Sequence, residues 1–162
     1  EVACAGWSDG TCGGDLTDLR ATWGCSGTSI TGADGTAIGT GKQNTTDIVN
    51  GCVTSDITAA ELAAGYSHNT LDDWFLPSKD ELNSLCKWAF NDTVNVICNN
   101  SGSGGSSLTN GGFASWPYWS SSESSSSVSW IQDFGSVDNL RGSPGPESQS
   151  ANYIHVRPVR AF

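Results

Sequence analysis

The stretch Asp73-Trp-Phe-Leu-Pro-Ser-Lys-Asp-Glu-Leu-Asn83 carries the clearest structural signal in the sequence. Pro77 fixes the backbone just ahead of Ser78, and Glu81 follows the serine at the spacing of a capping box. A helix is therefore expected to begin after Ser78. Apolar residues then recur at helical spacing, at Leu82, Leu85, Cys86, Ala89 and Phe90. The pattern predicts an amphipathic helix over residues 79–90.

A shorter helix is predicted upstream. Ser55 and Asp56 precede the run Ile57-Thr-Ala-Ala-Glu-Leu-Ala-Ala64, and Gly65 follows it. An acidic start and a glycine stop are typical helix boundaries. Residues 1–41 instead place glycine turns between short apolar pieces, so no helix longer than a turn is expected there.

Strands are predicted in the C-terminal part of the chain. Residues 116–122 and 128–134 alternate in polarity, as strands with one buried face do. Residues 153–162 predict a closing strand, in which Pro158 requires an edge position or the end of the strand. The stretch 135–152 is rich in Gly, Ser and Pro, and we expect it to be a loop.

The expected fold class is α+β, with two helices and a small twisted antiparallel sheet that carries long ordered loops. Residues 99–112 have the composition of a linker. We interpret them as a surface loop, because neither flank is long enough to fold alone. The prediction is therefore one domain over residues 1–162.

The six cysteines are Cys4, Cys12, Cys25, Cys52, Cys86 and Cys98. No Cys-x-x-Cys pair occurs and the chain has only 2 histidines, so a disulfide framework in an oxidising compartment is favoured over a zinc site. Six cysteines allow fifteen connectivities. The closeness of Cys4 to Cys12 and of Cys86 to Cys98 suggests those two bridges, which leaves Cys25 with Cys52.

Charge limits the classes of partner. The 162 residues include 17 acidic and 7 basic side chains, which gives a net charge of −10. This charge repels phosphate backbones and anionic lipid, so nucleic acid is not an expected partner. The sequence also lacks an apolar run of the ~18 residues that a membrane-spanning helix needs.

Catalysis is not expected, because the sequence contains none of the Gly-x-Ser-x-Gly, His-Glu-x-x-His or phosphate-loop motifs. His68 and His155 are interpreted as solvated or structural residues. Asp9, Asp15 and Asp34 lie in glycine turns whose oxygens could bind a structural calcium ion. They lack the alternating acidic spacing of a calcium loop, so we assign no metal ligand and no cofactor.

Three groups of motifs resemble a known family. They are Trp23-Gly-Cys-Ser-Gly-Thr-Ser-Ile30 with Gly32-Ala-Asp-Gly-Thr-Ala-Ile-Gly-Thr-Gly-Lys-Gln-Asn-Thr45, then Asp73–Asn83 with Tyr118-Trp-Ser-Ser-Ser-Glu123, and finally Val156-Arg-Pro-Val-Arg-Ala-Phe162. Over residues 22–162 this ordered set resembles the bacterial and phage domain family typified by the C-terminal domain of the Legionella collagen-like adhesin, also called the Fibrobacter major paralogous domain.

The resemblance implies a C-type-lectin-like fold, in which two helices and a small twisted sheet support long irregular loops. It also implies a non-catalytic recognition or adhesion domain that binds a glycan or a protein at a cell surface, in a secreted protein or on a phage particle. Some members bind sulfated glycans. Others resemble the variable proteins of diversity-generating retroelements, whose loops before the closing strand change to alter the ligand.

Two features depart from the family pattern. The Gly-Gly-x-x-Phe-Tyr strand that usually opens the family has no counterpart ahead of the stretch Glu1–Gly6, so we expect that this piece was cut away or that the strand is supplied differently, for example by another chain. The calcium-dependent sugar motifs Glu-Pro-Asn, Gln-Pro-Asp and Trp-Asn-Asp are also missing.

An unfilled sheet edge motivates an alternative function. In it, the protein is a structural subunit of a surface fibre, pilus, virion or phage fibre and uses the same loops for contacts between copies.

The predicted ligand face lies within residues 113–152, where small hydroxyl, amide and single apolar side chains supply adaptable contacts. Trp116 and Tyr118 are expected to be partly exposed rings that stack on a sugar or a protein partner. The predicted ligand-binding residues are Trp116, Tyr118, Ser124, Ser126, Ile131, Asp133, Asp138, Asn139, Leu140, Arg141, Gln149 and Asn152.

Arg157 and Arg160 match the Arg-Pro-x-Arg signature of the family. A buried or half-buried arginine normally pairs with carboxylates. We expect both to be scaffold residues, with Glu123 and Asp80 or Glu81 as partners.

Overall fold

Helices occupy the first part of the chain and strands the last. The computed structural model describes residues 1–7, 12, 18–93, 98, 108, 110–135 and 144–161. In chain order, the elements are α1 (Gly41–Gly51), α2 (Ala59–Ala64), α3 (Lys79–Ala89), β1 (Pro117–Ser125), β2 (Val128–Asp133) and β3 (Pro144–Ser148). The fold is α+β with a small antiparallel sheet, as predicted. None of the helices in these ranges is long and apolar enough to cross a membrane.

The best-marked predicted helix is α3, and its capping box is formed. The Ser78 hydroxyl accepts a hydrogen bond from the Glu81 N–H at 3.3 Å, and the Ser78 N–H donates to the Glu81 carboxylate at 2.7 Å. The shorter predicted helix is α2. It begins after Thr58 rather than at Ile57, because Thr58 and Glu61 form a second capping box.

The prediction of two helices is wrong, because α1 is a third. Its sequence has glycine at both ends, adjacent threonines and no side-chain N-cap hydrogen bond, all of which disfavour an isolated helix. Tertiary contacts stabilise it instead. Ile48 is fully buried, the Thr45 hydroxyl accepts from the Leu76 N–H at 3.0 Å, and the Asn44 amide donates to the Gly35 carbonyl at 2.6 Å. Packing rather than helix propensity therefore explains α1.

The sheet has the order β1-β2-β3, with both pairs antiparallel. The strands β1 and β2 confirm the two central strand predictions, and Trp119 faces Ile131 across their ladder. The strand β3 lies in the stretch predicted to be a loop, so that prediction is wrong there. Within the described residues β3 pairs only with β2, and an edge position of this kind tolerates Pro144 and Pro146.

The predicted closing strand makes isolated bridges rather than a continuous ladder. Its pairing partners are Tyr118 and Arg20 for His155, and Val2 and Phe75 for Val159. The segment 153–160 therefore lies along the edge of β1 that β2 leaves free. It also joins residues 18–22, residues 73–75 and the first three residues to the rest of the fold.

Buried side chains form two clusters, one on each face of β1. The larger cluster includes Trp23, Trp119 and Ile154. The smaller cluster includes Tyr118 and Phe134. Because Tyr118 and Trp119 are successive strand residues, they point to opposite faces, and β1 is buried on both.

The disulfide prediction is confirmed in full. Bridges join Cys4 to Cys12, Cys25 to Cys52 and Cys86 to Cys98. The last of these ties the buried face of α3 to Cys98, whose N–H donates to the Asn83 side chain at 2.8 Å.

The two arginines of the closing segment pair with carboxylates other than those predicted. The Arg157 Nε donates to Asp18 Oδ2 at 2.8 Å, and the Arg160 Nε donates to Asp73 Oδ1 at 2.7 Å. Arg160 also contacts Glu1. The predicted partners are engaged elsewhere, because the Glu81 carboxylate caps α3 and the Glu123 carboxylate accepts from the Ile30 N–H, the Ser29 hydroxyl and the Gln149 amide. The wrongly predicted partners are Glu123, Asp80 and Glu81.

Candidate functional site

Trp116 is the most exposed tryptophan of the described residues, at 57%. Its indole stacks on the imidazole of His155, with ring centroids 6.2 Å apart and planes 19° from parallel. His155 itself is only 4% exposed. The histidine therefore supports one face of the indole, and the other face is open to solvent.

His155 is held firmly beneath the indole. Its backbone N–H donates to the Pro117 carbonyl at 3.0 Å, and its backbone carbonyl accepts from the Trp119 backbone N–H at 2.9 Å. Burial lowers the pKa of the imidazole; the carboxylate of Asp18 opposes this shift and the charge of Arg20 adds to it. The imidazole is therefore neutral near pH 7, which suits a stacking platform better than a buried charge would.

A cavity of about 550 Å³ lies beside this platform, lined by Asp18, Leu19, Arg20, Asn152 and Tyr153. Arg20 and His155 form an isolated backbone bridge, so Arg20 joins the cavity to the stacked rings. We call the exposed members of this region the Trp116 surface. It consists of Leu19, Arg20, Trp116, Asn152 and Tyr153, all of which are exposed.

The negative charge of the Asp18 carboxylate at the cavity wall is balanced by an ion pair with Arg157. It accepts from Nε and Nη2 of the fully buried Arg157 and from the Tyr118 hydroxyl, the last at 2.7 Å. Arg157 donates its remaining hydrogen bonds to three backbone carbonyls, those of Ala3, Gly111 and Gly112. The buried ion pair fixes residue 18 next to the closing segment, and Arg20 follows two positions later.

Tyr153 contributes a second exposed ring, at 49%. Burial of part of the ring and a hydrogen bond to Glu147 raise the pKa of its hydroxyl. The hydroxyl is thus protonated and directed to Glu147, which orients the ring at the edge of the cavity.

Two predicted ligand contacts are wrong. Tyr118 is fully buried, and burial together with the neighbouring Asp18 raises the pKa of its hydroxyl far above the ordinary value. Gln149 is also fully buried, and its amide donates to Glu123, to the Ser125 carbonyl and to Ser129. Both side chains stabilise the fold, because the Tyr118 hydroxyl and the Gln149 amide N–H groups form their hydrogen bonds inside it.

The structure separates the other predicted ligand-binding residues. Trp116 and Asn152 lie on the Trp116 surface. Ser124 and Ser126 are exposed at the far end of the β1–β2 hairpin. These serines therefore lie at the end of the hairpin opposite to Trp116.

Ile131 and Asp133 are half-buried on β2. Ile131 packs against the larger core cluster, and the Asp133 carboxylate accepts from the Gly135 N–H at 2.6 Å. The remaining predicted residues lie outside the described part of the chain. They are Asp138, Asn139, Leu140 and Arg141.

Sequence reasoning did not find Leu19, Arg20 or Tyr153 as site residues. The alternation of the closing segment places Tyr153 opposite the buried Ile154, which is a usable signal. No comparable signal exists for Arg20, because only the long-range pairing of residues 18–22 with the closing segment brings it to Trp116.

No group of three or more His, Cys, Asp and Glu side chains arranged to bind a metal ion occurs in the described ranges. Of the three aspartates considered as calcium ligands, Asp34 lies in the described ranges, whereas Asp9 and Asp15 lie outside them. Comparison of the chain with protein-family models, curated proteins and solved structures gives no match.

Proposed function

We propose that the protein is a non-catalytic extracellular recognition domain that binds a glycan through the Trp116 surface. The observation that carries the proposal is Trp116, an exposed indole held flat on a buried histidine beside a polar cavity. The apolar face of a sugar ring stacks on such an indole, and the neighbouring amide and guanidinium groups supply hydrogen bonds to its hydroxyls. A preformed platform also limits the entropy lost on binding.

The location outside the cell is supported by three disulfides, which persist in oxidising compartments. A C-type-lectin-like fold is proposed for the same chain. The support is a small antiparallel sheet with helices on it and a C-terminal segment that pairs with β1 and with the first residues.

The non-catalytic part of the proposal is supported by the surroundings of both histidines in the described residues. His68 lies against Asn69 and the disulfide-bonded Cys12. His155 lies against Trp116 and Tyr118. Neither has the serine hydroxyl or free thiol neighbour that nucleophilic catalysis uses.

The test is a glycan array followed by calorimetric titration of the glycans that bind. Trp116→Ala should weaken their binding at least tenfold, about 1.4 kcal/mol. Trp88→Ala is the matched control, because Trp88 is another exposed tryptophan, on α3. It should bind within twofold of the unmodified protein. Equal binding by Trp116→Ala, or no glycan bound by the unmodified protein, would overturn the proposal.

A structural subunit is a second candidate, favoured by an apolar groove on another face. This groove of about 690 Å³ lies between α3 and the paired N- and C-terminal segments, and its apolar lining includes Val2, Ile38, Leu85, Trp88 and Val159. Ile38 is 71% exposed. The Val2 N–H and C=O point away from Val159 and have no hydrogen-bond partner in the described residues. We propose a second copy of the chain as occupant, because Val2 edges can pair about a two-fold axis and satisfy both copies at once.

Light scattering over a range of concentrations tests the second candidate. A dimer should form as concentration rises, Trp88→Glu should abolish it, and Trp116→Ala should leave it unchanged. A monomer at all concentrations would contradict it without affecting the glycan proposal.

A further inference from the structure

Arg20 differs from the other arginines of the described residues. Arg157 is buried in an ion pair with Asp18, and Arg160 pairs with Asp73 and Glu1. The Arg20 side chain is exposed and makes no hydrogen bond or ion pair with the described part of the chain. In a chain with 17 acidic residues, an arginine without a carboxylate partner is unusual.

Arg20 places its positive charge at the wall of the cavity. It lines the same cavity as Asn152 and Tyr153, and its backbone pairs with His155, on which Trp116 stacks. The only carboxylate among the cavity-lining residues, Asp18, is neutralised by Arg157. Glu147 lies nearby and accepts from the Tyr153 hydroxyl. The guanidinium of Arg20 is therefore the one unpaired charge among the residues that line this cavity.

From this arrangement we propose that the ligand of the Trp116 surface is a sugar bearing a carboxylate, such as a uronic or sialic acid residue. This inference rests on the proposed function and names its substrate class. The carboxylate binds the guanidinium of Arg20 through two parallel hydrogen bonds, and the sugar ring stacks on Trp116. Asn152 hydrogen-bonds the ring hydroxyls.

The charge of the whole chain selects the carboxylate over a polysulfated ligand. One guanidinium matches one planar monoanion, whereas a ligand with many sulfates brings further negative charge toward a protein of net charge −10. Weakening by added salt should be modest, because a single ion pair is screened rather than a field of charges.

The probes are trigalacturonate and sialyllactose, each compared with its methyl ester, and a heavily sulfated oligosaccharide. The methyl ester keeps the ring and removes the charge. The unmodified protein should bind at least one carboxylated probe at least tenfold more tightly than its ester. Arg20→Gln should remove that preference, because it should weaken binding of the acid far more than binding of the ester.

Lys42→Gln is the matched control, because Lys42 is exposed on α1 and its loss changes the net charge by the same amount. It should keep the preference for the carboxylate. Arg20→Lys should retain attraction but lose part of the preference, since an ammonium group does not form the paired hydrogen bonds. Equal binding of acid and ester, tighter binding of the sulfated probe, or no effect of Arg20→Gln would overturn the inference.

The two proposals fail in different ways. If neutral glycans bind in a Trp116-dependent manner while Arg20→Gln is silent, the carboxylate inference is wrong and the recognition surface stands. If no probe or array glycan binds, both are wrong.

Discussion

At the scale of single residues, the burial of His155 makes the stability of the fold depend on pH. Its imidazole pKa is lowered by burial, with Arg20 and Arg157 adding to the shift and Asp18 opposing it. In the unfolded chain a histidine titrates near pH ~6.5. Below that pH the unfolded state binds the proton more readily than the folded state, so stability is full above about pH 6.5 and falls as the pH decreases toward the folded pKa.

We therefore expect the urea midpoint to be lower near pH ~5 than near pH ~7.5. His155→Phe keeps an aromatic ring under Trp116 and should flatten this dependence. His68→Gln removes a histidine from a surface turn and should retain it. Equal slopes for His155→Phe and the unmodified protein would contradict the assignment.

Glu123 is a buried carboxylate whose side-chain hydrogen bonds within the described residues all come from neutral donors. It is 7% exposed and accepts from the Ile30 N–H at 3.1 Å, from the Ser29 hydroxyl at 2.7 Å and from the Gln149 amide at 3.3 Å. Glu123→Ala should lower the free energy of unfolding by at least about 2 kcal/mol, because it leaves these donors buried without an acceptor.

Chemical denaturation measures this effect. Asp56→Ala removes the same charge from an exposed loop and should change stability by less than about 0.5 kcal/mol. Similar losses for the two variants would show that charge, and not the hydrogen bonds of Glu123, sets the stability.

At the scale of elements, the contact between the N-terminal ends of α1 and α3 depends on Gly41. A Cβ there would lie 2.8 Å from the Ser78 N and 2.9 Å from the Leu76 O. Alanine normally favours a helix over glycine, but here the added methyl group pushes on fixed backbone. Gly41→Ala should cost about 1–3 kcal/mol in urea denaturation.

Gly145→Ala serves as the control for Gly41→Ala. Gly145 lies in β3, and a Cβ there has no atom within 4 Å. Its stability should be close to that of the unmodified protein. A stable Gly41→Ala variant would mean that α1 can move away from α3 at little cost.

The disulfides give a graded prediction. The Cys25–Cys52 bridge spans 27 residues and the Cys86–Cys98 bridge spans 12. On the chain-entropy model, removing them should cost about 3.6 and about 2.8 kcal/mol. Paired Cys→Ala variants compared by urea denaturation measure the difference. A larger loss for the shorter bridge would show that native-state contacts, rather than loop length, control their contributions.

Local signals made part of the fold predictable. The capping box at Ser78 and Glu81 marks α3 because both residues act within one turn. The disulfides followed from cysteine spacing. In contrast, α1 is held by Leu76 and Gly35, and Arg20 reaches the site by pairing with His155, so neither can be inferred from neighbouring residues.

At the scale of the whole molecule, negative charge opposes compactness. The net charge of −10 is spread over a folded surface of 7897 Å². Screening of this repulsion should raise the thermal midpoint as NaCl increases from about 20 mM to about 200 mM. The half-exposed pair of Arg160 and Asp73 weakens with salt and opposes the rise. A constant or falling midpoint would mean that attractive pairs outweigh the general repulsion.

Trp116, which stays exposed while it stacks on His155, also gives the molecule an intrinsic fluorescent probe. Trp116 and Trp88 are the two most exposed of its described tryptophans, so a neutral collisional quencher such as acrylamide reaches them first. In a Trp88→Phe background the quenchable emission reports mainly on Trp116. A bound sugar ring would shield that indole. Occupancy of the surface can then be followed in unlabelled protein, and candidate ligands can be screened by fluorescence before any is identified.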